Sequence, residues 1–145
     1  MNHYFLVLLS LIMYTSYGQN KKSLHINRTN NAPKIDGVLD DAIWKKAEIV
    51  SNFIQFRPIM GEKETDQNKS LVQLTYDDTA IYIGAYLYDD PELIMRQFNS
   101  RDNFGQSDFF GVIFNPNNDA QNDTEFFVFS SGAQADAVST PSSGE

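Results

Sequence analysis

The chain has 145 residues, no cysteine and a formal charge of −8, from 11 Lys and Arg against 19 Asp and Glu. The lack of cysteine excludes disulfides, thiol nucleophiles and zinc–thiolate sites. The negative balance argues against nucleic acid as a partner, because phosphate binding needs a basic face. Aromatic residues make up 13% of the chain. This content indicates either a β-rich core or surfaces on which flat ligands stack.

The N-terminal segment has the pattern of an export signal. An apolar run covers Tyr4–Met13, which is shorter than the ~20 residues that a membrane-spanning helix needs. Small residues at Ser16 and Gly18 fit a cleavage site, so we predict a signal peptide over residues 1–18. The alternative is a buried strand or helix. Export predicts a periplasmic, outer-membrane-associated or secreted protein.

Two predicted hairpins dominate the rest of the chain. Apolar and polar residues alternate over Leu71–Tyr76 and Ile81–Tyr88, and turn-forming residues lie between these two segments. Phe and Val are frequent in Asp108–Phe114 and Thr124–Phe129, which are also separated by turn formers. A further strand is predicted over Gly132–Val138.

Helical content is predicted to be small. Asp40–Ala47 has an aspartate N-cap and lysines in its last turn, and Pro91–Gln97 has a proline at its first position. Several short strands with turns between them indicate an antiparallel, jelly-roll-like β-sandwich with one or two short helices. We assign this domain to residues 19–138 and a loop or linker to residues 139–145.

The run IDGVLDDAIWKKA over Ile35–Ala47 resembles the opening motif of the family 9 carbohydrate-binding module and its DOMON-like relatives. The similarity extends over about Ile26 to Asp136. Its later motifs follow in the family's order: Tyr76–Asp78, Ile81–Gly84, Tyr88–Pro91, Arg101–Asn103, Asn115–Pro116, Phe126–Phe129 and Gly132–Asp136.

The resemblance implies a non-catalytic β-sandwich module that binds an oligo- or polysaccharide within a larger exported bacterial protein. Family modules continue past the point that corresponds to Glu145, so we expect this sandwich to lack its last strands. The missing C-terminal region would associate with the outer membrane. Two alternatives remain: a structural or adaptor domain without sugar binding, and an accessory part of a glycoside hydrolase whose active site lies beyond Glu145.

Elementary physics explains the opening motif without a ligand. Asp36-Gly37 favours a tight turn, Asp40 is a helix cap, and Trp44 is a large apolar anchor. Trp44 is the one tryptophan in the chain, whereas sugar-binding family members clamp a sugar between two. We therefore assign Trp44 to the fold and not to a ligand site.

The best candidate site follows the second predicted helix. Planar polar groups that bond adjacent hydroxyls, beside an aromatic face, are what sugar recognition needs. Phe104 and Phe109 would supply that face. The alternative is an Arg–Asp pair that pins a loop to the rim of the sandwich. The proposed substrate-binding side chains are Arg101, Asp102, Gln106 and Asp108.

Each of the other candidate sites also has an explanation that involves no ligand. Tyr82, Tyr86 and Tyr88 share one face of a strand, which suits either glycan contact or a packed layer between sheets. The acidic loop Asn115–Asp123 could hold calcium, but it lacks the ligand spacing of a helix–loop–helix calcium site and suits a solvated turn. No cofactor is otherwise expected.

Catalysis has little support in the sequence. The acid pairs Asp77/Asp78 and Asp89/Asp90 are adjacent and lie in predicted turns, and no known catalytic motif occurs. A haem site at His25 with Met60 or Met95 would follow from the DOMON-like resemblance, but neither methionine lies in a ligand motif. We therefore assign no catalytic residue.

Overall fold

The protein is all-β over the residues that its computed structural model describes, 22–119 and 121–140. No helix occurs in these ranges. The predicted signal peptide and residues 141–145 lie outside them. The seven strands are β1 (Asn27–Arg28), β2 (Ile49–Val50), β3 (Ser70–Tyr76), β4 (Ile81–Leu87), β5 (Phe109–Phe114), β6 (Asp123–Phe129) and β7 (Gln134–Ser139).

The first sheet is built around β3, which pairs with β1, β2 and β4. β1 runs parallel to β3 opposite Thr75 and Tyr76, and β2 runs antiparallel to it opposite Val72 and Gln73. The pairing of β4 with β3 confirms the first predicted strand pair. The turn between the two strands begins at Asp77, as the sequence predicted. The sequence did not predict the two-residue strands β1 and β2.

The second sheet has the order β5-β6-β7 and is antiparallel throughout. Its β5–β6 pair confirms the second predicted hairpin, with Phe109 opposite Phe129 and Phe114 opposite Thr124. β7 confirms the strand predicted near Gly132–Val138. It also takes in Ser139, which we had assigned to the terminal loop.

The contacts of the chain divide it into two compact units. Of the described residues, the first comprises those up to Val50 and Val72–Gly84, and the second comprises Ser51–Leu71 and those from Ala85 onward. The first unit contains the β1 and β2 contacts with β3, and the second contains the whole β5-β6-β7 sheet.

The predicted helix over Asp40–Ala47 is wrong, because this segment forms successive turns. The N–H of Ala47 reaches the carbonyl of Ile43 at 3.2 Å, as in a helix. The N–H groups of Trp44 and Lys46 instead donate to carbonyls three residues back. The side-chain amide of Gln73 donates hydrogen bonds to the carbonyls of Trp44 and Ala47, at 2.5 and 3.0 Å. The chain is thus tied to β3 before a second helical turn forms.

The predicted helix over Pro91–Gln97 is also wrong. Asp90 does accept from the Glu92 N–H at 3.0 Å, as a cap would, and the Leu93 N–H closes one turn. The Met95 N–H then donates to the carboxylate of Asp108 at 3.0 Å, and Arg96 forms a bridge with Ser107. These bonds to a distant segment extend the chain where a helix would have continued.

Trp44 is the main apolar anchor of the first unit. Its residue is 5% exposed, and Ala47 and Val72 are also buried. A Cβ at Gly84 would lie 3.3 Å from Trp44 Cη2 and 2.8 Å from Leu39 Cδ2. The bare backbone of β4 therefore leaves room for the indole and the leucine, which confirms the structural role predicted for Trp44.

One face of the second sheet forms the core of the second unit. Phe127, Phe129 and Ala135 are buried on this face, and Phe129 is 2% exposed. A Cβ at Gly111, opposite Phe127 in the register, would lie 2.7 Å from two atoms of its ring. The glycine thus lets a central phenylalanine lie flat across its neighbour strand.

Candidate functional site

The candidate site lies on the segment 101–108, which leads into β5 and which we call the rim loop. At one end the Asp102 N–H donates to the carbonyl of Gln134 at 3.1 Å, and the Asp136 N–H donates to Asp102 Oδ1 at 3.2 Å. At its other end the loop continues into β5. The rim loop therefore runs from the edge strand β7 to the edge strand β5 of the same sheet.

Arg101 lies between two carboxylates at the β7 end of the rim loop. Its Nη2 donates to Asp136 Oδ1, and its Nε lies 3.5 Å from Asp102 Oδ2. More than half of each of the three side chains is exposed to solvent. A guanidinium has five N–H donors, and Nη1 carries two beyond those in these contacts. The cluster has a net charge of −1 and offers both donors and acceptors to solvent.

Phe104 and Phe109 lie together, as expected, but as part of a larger cluster. The Phe104 ring packs edge-on against Phe109, Phe127 and Phe129, with centroids 5.6, 4.8 and 5.3 Å apart. Phe104 is 41% exposed and Phe109 is 52% exposed. Edge-to-face contact is a favourable geometry for aromatic pairs. The inner parts of the two rings therefore hold the rim loop on the sheet, while their outer parts face solvent.

The two other predicted site residues, Asp108 and Gln106, bond to segments outside the Arg101 cluster. The Asp108 carboxylate accepts from the Met95 N–H, and its backbone bonds Met95 and Ser130, at 2.9 and 2.8 Å. The Gln106 N–H donates to the side chain of Gln97 at 3.0 Å. Asp108 is thus occupied with the backbone of a neighbouring segment. The contacts bring Arg101 and Asp102 together, and they do not bring Asp108 to this pair.

Sequence reasoning missed two residues that shape the rim loop. Asp136 follows Arg101 by 35 positions, and only the pairing of β7 with the loop shows the relationship. Asn99 is buried and donates to the Phe104 carbonyl at 3.0 Å. A Cβ at Gly105, where φ is +48°, would lie 2.3 Å from Asn99 Oδ1. Asp136 ends the motif Gly132–Asp136, but nothing in the sequence pairs it with Arg101, and no local pattern marks Asn99.

The predicted tyrosine stripe divides into two environments. The Tyr82 hydroxyl donates to Asp77 Oδ2 at 2.8 Å, so this tyrosine belongs to the β3–β4 turn. Tyr86 and Tyr88 are 59% and 41% exposed, and their ring centroids are 5.0 Å apart. Their exposure differs from the packed layer that was one of the two expectations.

The acidic turns are held by local hydrogen bonds. The hydroxyl and the N–H of Thr79, both at 2.7 Å, and the Tyr82 hydroxyl hold the pKa of Asp77 well below its ordinary value. The hydrogen bond from the Tyr82 hydroxyl to Asp77 in turn raises the pKa of Tyr82. In the loop predicted as a calcium candidate, the Gln121 N–H donates to Asp119 at 2.9 Å and lowers the pKa of Asp119. Both carboxylates therefore act as acceptors within turns.

Within the described ranges, no group of three or more His, Asp or Glu side chains is arranged to hold a metal ion. A helix able to cross a membrane is likewise absent from residues 22–119 and 121–140. Comparisons with protein-family models, curated proteins and solved structures gave no match to this chain.

Proposed function

We propose that this chain is a non-catalytic carbohydrate-binding module of an exported protein, and that the rim loop contacts the sugar. One observation carries the proposal: the half-exposed cluster of Arg101, Asp102 and Asp136 belongs to the same short loop system as the half-exposed ring of Phe104. Fixed donors and acceptors next to an aromatic face suit a sugar, which presents hydroxyls on its edge and C–H groups on its faces.

The charge of this cluster favours a neutral ligand. Arg101 is already paired with two carboxylates, so an anionic ligand would meet a net charge of −1. The whole chain also carries −8. Nucleic acid and acidic polymers are repelled by such a surface. Neutral hydroxyls instead gain from the charged partners, because hydrogen bonds to ionised groups are stronger than bonds between neutral groups.

Asp108 and Gln106 take a supporting part in this proposal. The Asp108 carboxylate fixes Met95, and this bond sets the base of the rim loop at the start of β5. Its role is to position Arg101 and Phe104, and not to touch the sugar. Gln106 lies two residues after Phe104 and would contact the sugar at the flank of the site.

Calorimetry on the full-length protein with soluble oligo- and polysaccharides tests the proposal. We expect Arg101→Ala and Asp136→Ala each to weaken binding by about tenfold, the effect of one lost charge-assisted hydrogen bond. Arg57→Ala is the matched control, because it removes an arginine that stacks over Phe56, 5.6 Å from the ring centroid. An absence of affinity across a broad glycan panel would contradict the proposal.

A structural or adaptor role is the second candidate. It is favoured by the second face of the β5-β6-β7 sheet, where Phe126, Val128 and Val138 are half-exposed or more. Clustered apolar side chains of this kind are typical of surfaces that another protein element covers. If this role is correct, the exported protein sediments with the cell envelope. Val128→Lys then releases it into the soluble fraction, whereas Arg101→Ala leaves it in the envelope.

A further inference from the structure

Two tyrosines at the end of β4 form an exposed aromatic pair outside the rim loop. Tyr86 is the penultimate residue of β4, and Tyr88 follows the strand directly, so both project from the same side of the chain. Their ring centroids lie 5.0 Å apart with an interplanar angle of 42°. Tyr86 is 59% and Tyr88 41% exposed, so the rings contact each other and also present surface to water.

A lysine from the paired segment completes this surface. The Tyr88 N–H donates to the carbonyl of Lys69 at 3.0 Å, which places the two residues side by side. The Lys69 ammonium lies 5.4 Å from the centroid of the Tyr88 ring, a distance at which a cation is attracted to a ring face. The ring is therefore held by its own backbone, by Tyr86 and by the ammonium of Lys69.

The same ammonium is neutralised by a carboxylate. Lys69 Nζ lies 3.3 Å from Asp66 Oδ1, and Asp66 is almost fully exposed. The surface thus presents the exposed parts of two tyrosine side chains, an ammonium and a carboxylate, without a net charge. We call the four residues Asp66, Lys69, Tyr86 and Tyr88 the tyrosine platform.

We infer that the tyrosine platform is a second carbohydrate-contact surface, on which the apolar face of a neutral sugar rests. The C–H groups of a sugar face suit the electron-rich face of a phenol ring. The hydroxyls at the sugar's edge would bond Lys69, Asp66 and the phenolic oxygens. This inference goes beyond the proposed function, because it adds a surface outside the rim loop, and it takes only the ligand class from that proposal.

Calorimetry of the full-length protein with soluble β-glucan, arabinoxylan and galactomannan tests the inference. For the polysaccharide that binds, we expect the double variant Tyr86→Ala/Tyr88→Ala to weaken binding by about tenfold or more, as loss of an aromatic contact does. Tyr86→Phe/Tyr88→Phe keeps the ring faces and should retain most of the affinity. Tyr76→Ala is the matched control, because Tyr76 is 39% exposed.

The outcomes separate this inference from the proposed function. Weaker binding in the Tyr-to-Ala double variant supports the tyrosine platform, whatever Arg101→Ala does. Unchanged binding in that variant overturns the tyrosine platform. If Arg101→Ala weakens binding in the same series, the rim loop remains as the sugar-binding site. Stacking of a flat aromatic probe with no saccharide affinity overturns both proposals. Unchanged amide exchange of β3 and β4 in the Tyr-to-Ala double variant verifies that the fold persists.

Discussion

Trp44 in the first unit and the Phe104–Phe109 pair in the second use their aromatic surface in opposite ways. In the first unit Trp44 is buried against the bare backbone of Gly84 and held by the hydrogen bonds of Gln73. In the second unit Phe104 and Phe109 pack on buried rings with only part of their surface, and the remainder stays in contact with water. The first arrangement has no aromatic surface left for a ligand, whereas the second has.

This difference explains why a count of aromatic residues says little about function. A fully buried indole contributes its whole apolar area to folding. A half-exposed ring at the end of a loop contributes less to folding and retains a face for a partner. The variants below test whether burial separates structural from ligand-contacting aromatics in this protein, in order of decreasing effect.

Trp44→Ala should have the largest effect on stability. Removal of a buried indole leaves a cavity beside Gly84, and the expected loss in the free energy of unfolding is about 3–5 kcal/mol. Hydrogen exchange of β3 and β4 peptides in the full-length protein measures it, through faster exchange. Trp44→Phe should have a smaller effect. Unchanged protection of both strands in Trp44→Ala would contradict the anchoring role.

Gln73→Glu should have the next largest effect. Gln73 donates to the carbonyls of Trp44 and Ala47, and a carboxylate at neutral pH cannot donate to either. Two part-buried acceptors are left unsatisfied, for an expected loss of about 1–3 kcal/mol. The measurement is amide exchange in residues 41–50. Protonation of the new glutamate in acid restores one donor, so a loss that does not diminish at low pH would argue against this explanation.

Phe104→Ala should have a smaller effect on stability and a distinct effect on binding. The ring loses edge-on contacts with three phenylalanines but is 41% exposed, so we expect a loss of about 1–2 kcal/mol. Saccharide affinity should fall more than for Phe126→Ala, which removes a half-exposed ring of similar size from β6. Equal affinities of these two variants would remove Phe104 from the proposed contact surface.

Asp77→Asn should give the smallest change, and one that depends on pH. The pKa of Asp77 is lowered in the folded protein, so its contribution to stability is present above the unfolded value of about 3.9 and is lost as the pH falls below it. The variant should therefore open the β3–β4 turn at neutral pH but match the parent protein in strong acid. Amide exchange of residues 77–80 at both pH values measures the difference.

A second readout of the same variant concerns Tyr82. Its pKa is raised because its hydroxyl donates to the Asp77 carboxylate. An asparagine carries no charge, so the pKa of Tyr82 should return toward its ordinary value of about 10. An alkaline titration of the Tyr82 ring resonances follows this shift. A pKa that stays raised in Asp77→Asn would assign the shift to burial and not to the hydrogen bond.

The sequence predicted the strongly periodic elements well. Alternation over Leu71–Tyr76 and Ile81–Tyr88 predicted the β3–β4 hairpin, and the Phe-rich segments predicted β5 and β6. It failed at Asp40–Ala47 and Pro91–Gln97, where bonds to Gln73 and Asp108 take the place of further helical turns, although Asp90 does accept from the Glu92 N–H as a cap would. A local pattern describes the start of a helix, but it does not describe a distant side chain that competes for the same backbone groups.

The candidate site was predicted in part. Arg101 and Asp102 lie together because they are adjacent in sequence, and the predicted contact of Phe104 with Phe109 follows from a short loop. The partnership of Arg101 with Asp136 needed the register of β7, and the assignment of Asp108 to Met95 needed the path of the chain before the rim loop. Neither relationship has a spacing that a single sequence displays.

The sequence by itself determined the all-β class, the two hairpins and the structural role of Trp44, because strand periodicity, turn chemistry and side-chain size act over a few residues. The tertiary structure decided which aromatic rings stay exposed. It also decided that Arg101 lies between two carboxylates and that Tyr86 and Tyr88 face water beside Lys69. These features depend on contacts between distant segments, and burial is a property of the folded chain and not of any residue in it.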